Sequence, residues 1–124
     1  MNLPSEQRSE AEIPVDLERL IEVTSDNPDK LRRLVKNYLE QSDEMILSLD
    51  QAIQQGATEE IRHLAHKWGG SSSMCGMLAV VPSLGKLERM SEAEQLTGAT
   101  KLHAETSKQL DRVRQFLNEY LEVA

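Results

Sequence analysis

Aromatic residues and cysteine are scarce in this sequence, and each shortage limits what the fold can be. Phe, Trp and Tyr together make up 3% of the 124 residues, so a folded core must be built mainly from aliphatic side chains, with Trp68 as the single tryptophan. Cys75 is the single cysteine, which excludes an internal disulfide and favours a reducing compartment. We interpret Cys75 as a small, apolar core residue rather than a catalytic thiol.

Positive charge and long apolar runs are also in short supply. The formal net charge is −7, which argues against binding to nucleic-acid phosphates or to anionic membranes. No run approaches the roughly 20 apolar residues of a membrane-spanning helix, and the polar stretch 1–12 lacks the apolar segment of a secretory signal. We therefore expect a cytoplasmic protein with no nucleic-acid or membrane partner. We further expect a monomer in which 1–12 is a flexible tail and 13–124 a single domain.

Helical periodicity covers most of the remaining chain. It predicts five helices, at about residues 15–24, 28–55, 58–75, 82–92 and 99–121. Asn27-Pro28 is a typical helix start, Gly56 a typical helix end, and Thr97-Gly98 a break. Because short loops between helices make consecutive helices antiparallel, the predicted fold class is all-α: an antiparallel four-helix bundle with an additional short N-terminal helix.

The third predicted helix carries a histidine on its polar side, followed by two glycines. At about 100° per residue, His66 lies about 140° from the centre of the apolar face that includes Trp68, so we expect its ring to be in solvent. Gly69 and Gly70 come one turn later, although glycine inside a helix costs about 1 kcal/mol relative to alanine. Two explanations stay open: the glycines leave room for a large partner near the ring, or they allow close packing of a neighbouring helix.

Enzyme and metal chemistry find little support in the sequence. No nucleophile with a base and no phosphate-binding glycine loop is recognisable. Glu60 and His63 match one Glu-x-x-His pair of di-iron bundles, but a second pair is missing. Glu59, His63 and His66 would form only a weak, exposed zinc site. We therefore predict no metal and no cofactor, and keep a metal-binding bundle as a third hypothesis.

Phosphoryl transfer through His66 is the chemistry that the pattern favours. An exposed imidazole is partly neutral near pH 7 and can then attack an activated phosphoryl group. The phosphorylated ring needs donors and positive charge nearby. Arg62, one turn before His66, could supply the cation, and Ser73 could supply a hydroxyl.

A resemblance to a known family rests on these same residues. The stretch 64–73, LAHKWGGSSS, with Gly76 following, resembles the signature of histidine-containing phosphotransfer (HPt) domains. Leu84, Leu87 and Glu88 resemble the Leu-x-x-Leu-Glu element of the family's next helix, and the likeness spans about residues 15–121. It implies a helical bundle without catalytic activity of its own. Such a bundle carries a phosphoryl group from a receiver-domain aspartate, as in a hybrid sensor kinase, to a response regulator.

The resemblance also implies roles for individual residues. His66 would be the phosphoacceptor, modified on the ring nitrogen farther from the backbone, and Gly70 would open the site. Gly69 stands where the family usually has lysine. Lys67 lies about 100° around the helix and cannot simply replace that lysine, whereas Arg62 is better placed. Arg32, Arg33 or Lys36 on the preceding helix are further candidates that the sequence leaves open. We expect this departure to affect the lifetime of the phosphorylated form and the transfer rate more than the existence of transfer.

Docking of a receiver domain is predicted to involve two further residues. His63 lies near His66 on the polar side, and Met77 lies about three turns beyond His66 on the same side if the helix extends that far. A second hypothesis follows from the change at Gly69: the chain could be an HPt-like adaptor that binds a receiver or kinase domain without accepting phosphate.

Overall fold

Five α-helices and one short 3-10 helix make up the part of the chain that the computed structural model describes, residues 13–123. The predicted tail at 1–12 lies outside the described residues. In chain order the elements are α1 (Leu17–Val23), α2 (Pro28–Gln54), α3 (Thr58–Met74), the 3-10 helix (Leu78–Val80), α4 (Val81–Glu92) and α5 (Ala99–Val123).

Local signals set the helix ends, as expected from the sequence. The Asn27 side chain accepts hydrogen bonds from the backbone N–H groups of Asp29 and Lys30 at 3.0 and 3.1 Å, so α2 begins at Pro28. Gly56 has a φ of 64° directly after this helix, a conformation that glycine adopts without a steric penalty. Predicted and observed boundaries differ by at most two residues, which is the usual uncertainty at frayed helix ends.

The four longer helices close around one aliphatic core. α3 packs against α2 and α4, and α5 packs against the same two helices, so the predicted four-helix bundle with an additional N-terminal helix is confirmed. No helix in the described range is long and apolar enough to cross a bilayer. The largest fully buried side chains include Leu20, Leu49, Ile61, Met77, Leu84, Leu87 and Leu117.

Two buried hydrogen bonds join α2 to α3. Trp68 is 3% exposed, and its Nε1 donates to the Ser42 hydroxyl at 3.1 Å. The hydroxyl groups of Tyr38 and Ser72 are 2.8 Å apart. Because Trp68 and Ser72 lie one turn apart on α3, these contacts hold one face of that helix against α2. The opposite face of α3, which carries His66, is therefore turned to solvent.

The N-terminal segment is tied to the end of α3. The Asp16 N–H donates to the Gly76 carbonyl at 2.7 Å, and Arg19 Nε donates to the Met74 carbonyl at 3.1 Å. Gly76 has a φ of 82°, and a β-carbon added there would lie 2.6 Å from the Asp16 carbonyl oxygen. The close approach of α1 therefore depends on glycine at this position.

Candidate functional site

His66 stands in solvent near the middle of α3. Its side chain is 72% exposed, which confirms the position expected from the helical pattern. Its neighbours in the chain, Ala65 and Trp68, are buried, so the backbone that carries the ring is held by the core. The imidazole is thus accessible to a large partner but is mounted on a rigid element.

A carboxylate on α4 orients the ring. His66 Nδ1 and Glu88 Oε2 are 3.0 Å apart, and the Glu88 side chain is 27% exposed. An ionised carboxylate only accepts hydrogen bonds, so this partner assigns the proton to Nδ1. The lone pair of the neutral ring then lies on Nε2, the nitrogen farther from the backbone.

The contact between Glu88 and the His66 ring was not predicted from the sequence. Glu88 belongs to the element that resembles the family's next helix, but the sequence did not predict it as a site residue. It is 22 positions from His66 in the chain. One feature of the sequence does indicate Glu88: it is an acidic residue at the edge of the apolar face of α4, one position after buried Leu87.

The two adjacent glycines have different surroundings. A β-carbon added at Gly70 would meet no atom within 4 Å, so Gly70 leaves open space one turn from His66. A β-carbon added at Gly69 would lie 3.6 Å from the Leu84 Cβ, which is an ordinary van der Waals distance. Gly70 thus fits the explanation of room for a partner, and Gly69 lies at the contact between α3 and α4.

The two cations predicted near the ring have other neighbours. Arg62 Nη2 lies 3.2 Å from Glu59 Oε2, an ion pair along α3 on the side away from Gly70. Lys67 lines the groove between α2 and α3, next to Met45. Within residues 13–122, Glu88 is the side chain hydrogen-bonded to His66, so neither cation is hydrogen-bonded to the ring.

His63 and Ser73 share the exposed side of α3 with His66. Both are exposed, one turn before and two turns after it. The side chains of the described residues include no group of three His, Cys, Asp or Glu placed to hold a metal ion.

Cys75 is partly buried, its thiol donates to the Ser71 carbonyl at 2.9 Å, and burial raises the pKa of that thiol. A raised pKa keeps the thiol neutral and therefore poorly nucleophilic near pH 7.

The prediction that Met77 takes part in docking is wrong. It required α3 to continue past residue 77, but α3 ends at Met74 and the chain changes direction at Gly76. Met77 is 0% exposed and belongs to the core. The exposed methionine at this end of α3 is Met74, whose side chain is 67% exposed.

Comparisons with known proteins agree with this geometry. The family model described as Hpt domain matches residues 33–116, which is more than half of the chain. Among solved structures, histidine-containing phosphotransfer protein B (HptB) from Pseudomonas aeruginosa PAO1 superimposes with a TM-score of 0.83 at 23% sequence identity. That match covers 90% of this chain and 96% of the other. A comparison with curated protein sequences gave no match.

Proposed function

This chain belongs to the Hpt domain family, and from that premise we propose that it is a phosphorelay intermediate in which His66 carries the phosphoryl group. Family membership supports a histidine phosphotransfer role in two-component signalling, and phosphocarriers rather than catalysts are typical of the family. In the proposed reaction His66 receives the group from the aspartate of a receiver domain, as in a hybrid sensor kinase. It then passes the group to a response regulator.

The observation that carries this proposal is the exposed ring with its Nδ1 proton held by Glu88. Nε2 is then free to attack the phosphorus atom of an aspartyl phosphate. A nitrogen–phosphorus bond forms as the bond from phosphorus to the aspartate oxygen breaks, and that electron pair stays on the carboxylate. Transfer to the response regulator reverses these steps on a second aspartate. The family resemblance assigns magnesium and the acid chemistry to the receiver domain.

Glu88 contributes electrostatically to the same step. As Nε2 gives its electron pair to phosphorus, positive charge develops on the imidazole. A carboxylate 3.0 Å from Nδ1 stabilises that charge, and it also keeps the ring in one orientation. The open space at Gly70 allows the receiver surface to approach. Exposed His63 and Ser73 lie on the same side and are proposed to contact the receiver or the phosphoryl group.

The test is phosphorylation of the purified chain by phosphoramidate and by a phosphorylated receiver domain. We expect one phosphoryl group, labile in acid and stable in base, measured by intact mass and located by peptide sequencing. His66→Gln should abolish the label. The matched control His63→Gln replaces an exposed histidine one turn away on the same helix and should retain the label from phosphoramidate, which needs no receiver docking. Absence of label with both donors, or label that survives His66→Gln, would contradict the proposal.

The adaptor hypothesis remains a second candidate because of one observation. Gly69 offers no cation, and Arg62 and Lys67 have other neighbours, so the ring lacks an obvious positive partner. An adaptor would bind a receiver domain, measured by calorimetry, yet accept no phosphoryl group from it. Its affinity would be the same in wild type and in His66→Gln.

A further inference from the structure

A phosphoryl group on His66 would lie close to the negative charge of Glu88. The phosphate itself carries nearly two negative charges near pH 7, and Glu88 lies against the ring. On α3, Gly69 has no side chain, Arg62 is paired with Glu59, and Lys67 lies in the groove towards α2. Neither α3 cation is hydrogen-bonded to the ring, which favours a cation from a neighbouring helix as the partner of the phosphoryl group.

The register between α3 and α4 identifies which residues of α4 lie beside His66 and the two glycines of α3. Two contacts define it: His66 with Glu88, and Gly69 with Leu84. The helices run antiparallel, so Gly85 on α4 lies at the level of Trp68 and Gly69 on α3. At about 100° per residue, Leu84 is about 40° to the core side of Glu88, and Gly85 is about 60° to its solvent side.

One cationic side chain lies over Gly85. Arg89 Nη1 and Nη2 lie 3.3 and 4.0 Å from where a β-carbon on Gly85 would be, so the guanidinium folds back one turn along α4. Arg89 itself is about 100° from Glu88 around the helix, and Gly85 is only about 60° away. Folding over Gly85 therefore brings the guanidinium towards α3. In the described part of the chain, Arg89 forms no salt bridge.

We propose that Arg89, seated over Gly85, binds the phosphoryl group on His66 and takes the part of the lysine that is missing at Gly69. This inference rests on the proposed function. Glu88 and Arg89 are consecutive residues, so one turn of α4 would hold both the ring and its phosphate. A guanidinium stays charged at all working pH values and offers paired donors that match phosphate oxygens. The arrangement also explains a glycine in the middle of α4, where alanine would favour the helix by about 1 kcal/mol.

The test compares three variants of the full chain, each phosphorylated on His66 with phosphoramidate. Arg89→Gln removes the charge, Arg89→Lys keeps it, and Lys86→Gln is the matched control. Lys86 lies three positions earlier on α4 but beside Pro82 and Leu102, towards α5. Phosphorus NMR then follows the ionisation of the phosphoryl group as pH is varied.

A nearby cation favours the charged form of a phosphate and so lowers the pKa of the phosphoryl group. We expect Arg89→Gln to raise the pKa of the phosphoryl group by roughly half a pH unit relative to wild type. In Arg89→Lys, which keeps the positive charge, that pKa should stay close to the wild-type value. Lys86→Gln should leave it unchanged. The difference should shrink at high salt, where the Debye length falls to about 3 Å in 1 M solution. A purely structural role for Arg89 would give neither the pH effect nor the salt effect.

The outcomes separate this inference from the proposed function. If wild type is labelled on His66 but Arg89→Gln and Lys86→Gln titrate alike, the assignment of Arg89 is wrong and the phosphocarrier role stands. If wild type is not labelled on His66, the proposed function fails and this inference fails with it. Circular dichroism of each variant checks that the exposed substitutions leave the bundle intact.

Discussion

At the scale of single residues, the site depends on side chains that are absent as much as on those that are present. His66 is exposed because its helix buries the opposite face, and its ring is oriented by one carboxylate. Gly70 provides open space, and Gly85 lies under a guanidinium. Each of these glycines lies inside a helix, where it lowers stability. Access to the ring accounts for Gly70, and the seat of the Arg89 guanidinium accounts for Gly85.

Gly70→Ala should make the protein more stable. No atom lies within 4 Å of the added β-carbon, so the free energy of unfolding should rise by about 1 kcal/mol through helix propensity. Urea denaturation measures this change.

A larger side chain at position 70 should act differently: Gly70→Glu should keep the fold but slow phosphoryl transfer from a receiver domain, while labelling by phosphoramidate continues. Gly70→Gln, which has nearly the same volume without the charge, separates the steric part from the electrostatic part. Normal receiver transfer in both variants would contradict the proposed role of the open space.

At the scale of helices, α3 is held on both sides by contacts that leave its outer face clear. Buried hydroxyls join it to α2, and the Gly69–Leu84 and His66–Glu88 contacts join it to α4. At its C-terminal end, Gly76 is joined to the segment before α1. These contacts keep the histidine-bearing helix rigid, which a phosphoryl acceptor needs in order to meet a receiver aspartate in one orientation.

Tyr38→Phe should weaken the α2–α3 contact in a pH-dependent way. The change leaves the buried Ser72 hydroxyl without its 2.8 Å partner, which should cost about 1–2 kcal/mol near pH 7. Burial raises the pKa of Tyr38 above the ordinary value of 10.0. The folded state therefore keeps the phenol proton to higher pH than the unfolded state. Wild type then loses stability as pH rises above the ordinary tyrosine pKa of 10.0, because the unfolded state gives up the proton first.

Because Phe has no such proton, the stability gap between wild type and Tyr38→Phe should narrow above about pH 10. Urea denaturation near neutral pH and at alkaline pH measures the gap, and groups common to both proteins cancel in the comparison. A gap that stays constant or widens with pH would mean that the phenol proton is not retained by folding.

Gly76→Ala should loosen the attachment of α1 to α3. Alanine would be strained at a φ of 82°, and its β-carbon would collide with the Asp16 carbonyl oxygen at 2.6 Å. We expect a loss of about 2 kcal/mol or more, with faster amide hydrogen exchange in α1. Gly56→Ala is the matched control, since Gly56 also has positive φ, at 64°, but no atom within 4 Å of the added carbon. Equal losses in the two variants would show that backbone strain alone, without the collision, accounts for the effect.

At the scale of the whole molecule, the proposed functional surface and the stabilising core are separate. The core is aliphatic and closed by four helices, whereas the site lies on the outside of α3 and α4. The resemblance to HPt domains is confirmed by the family match and by the fold. The cytoplasmic location, drawn from the single cysteine, and the absence of nucleic-acid partners, drawn from the net charge of −7, stay predictions, as does the monomeric state.

His66→Gln should therefore leave global stability unchanged. The ring is 72% exposed and contributes one hydrogen bond at the surface, so we expect a change within about 0.5 kcal/mol. Thermal unfolding followed by circular dichroism and by Trp68 fluorescence should give one coincident transition in both proteins. A loss well above 1 kcal/mol would show that the ring supports the fold, and the separation of site from core would then be incorrect.

Helices and site residues were predictable to different degrees. The number of helices, their ends near Asn27, Gly56 and Gly98, and the burial of Trp68 all follow from local patterns and are confirmed. The position of Met77 was predicted wrongly, because it depended on whether α3 continues beyond Met74, and the chain reverses at Gly76 to meet α1. That contact joins segments about 60 residues apart, and no periodicity within α3 indicates it.

By itself, the sequence determined the helical bundle, the buried face of α3 and the exposure of His66. Capping residues, glycines and the 3.6-residue period act over a few neighbours in the chain, so they can be seen without coordinates. Only the tertiary structure decided that Glu88 holds the ring and that the Arg89 guanidinium lies over Gly85. Both depend on the register at which α3 crosses α4, and that register is set by the packing of the whole core.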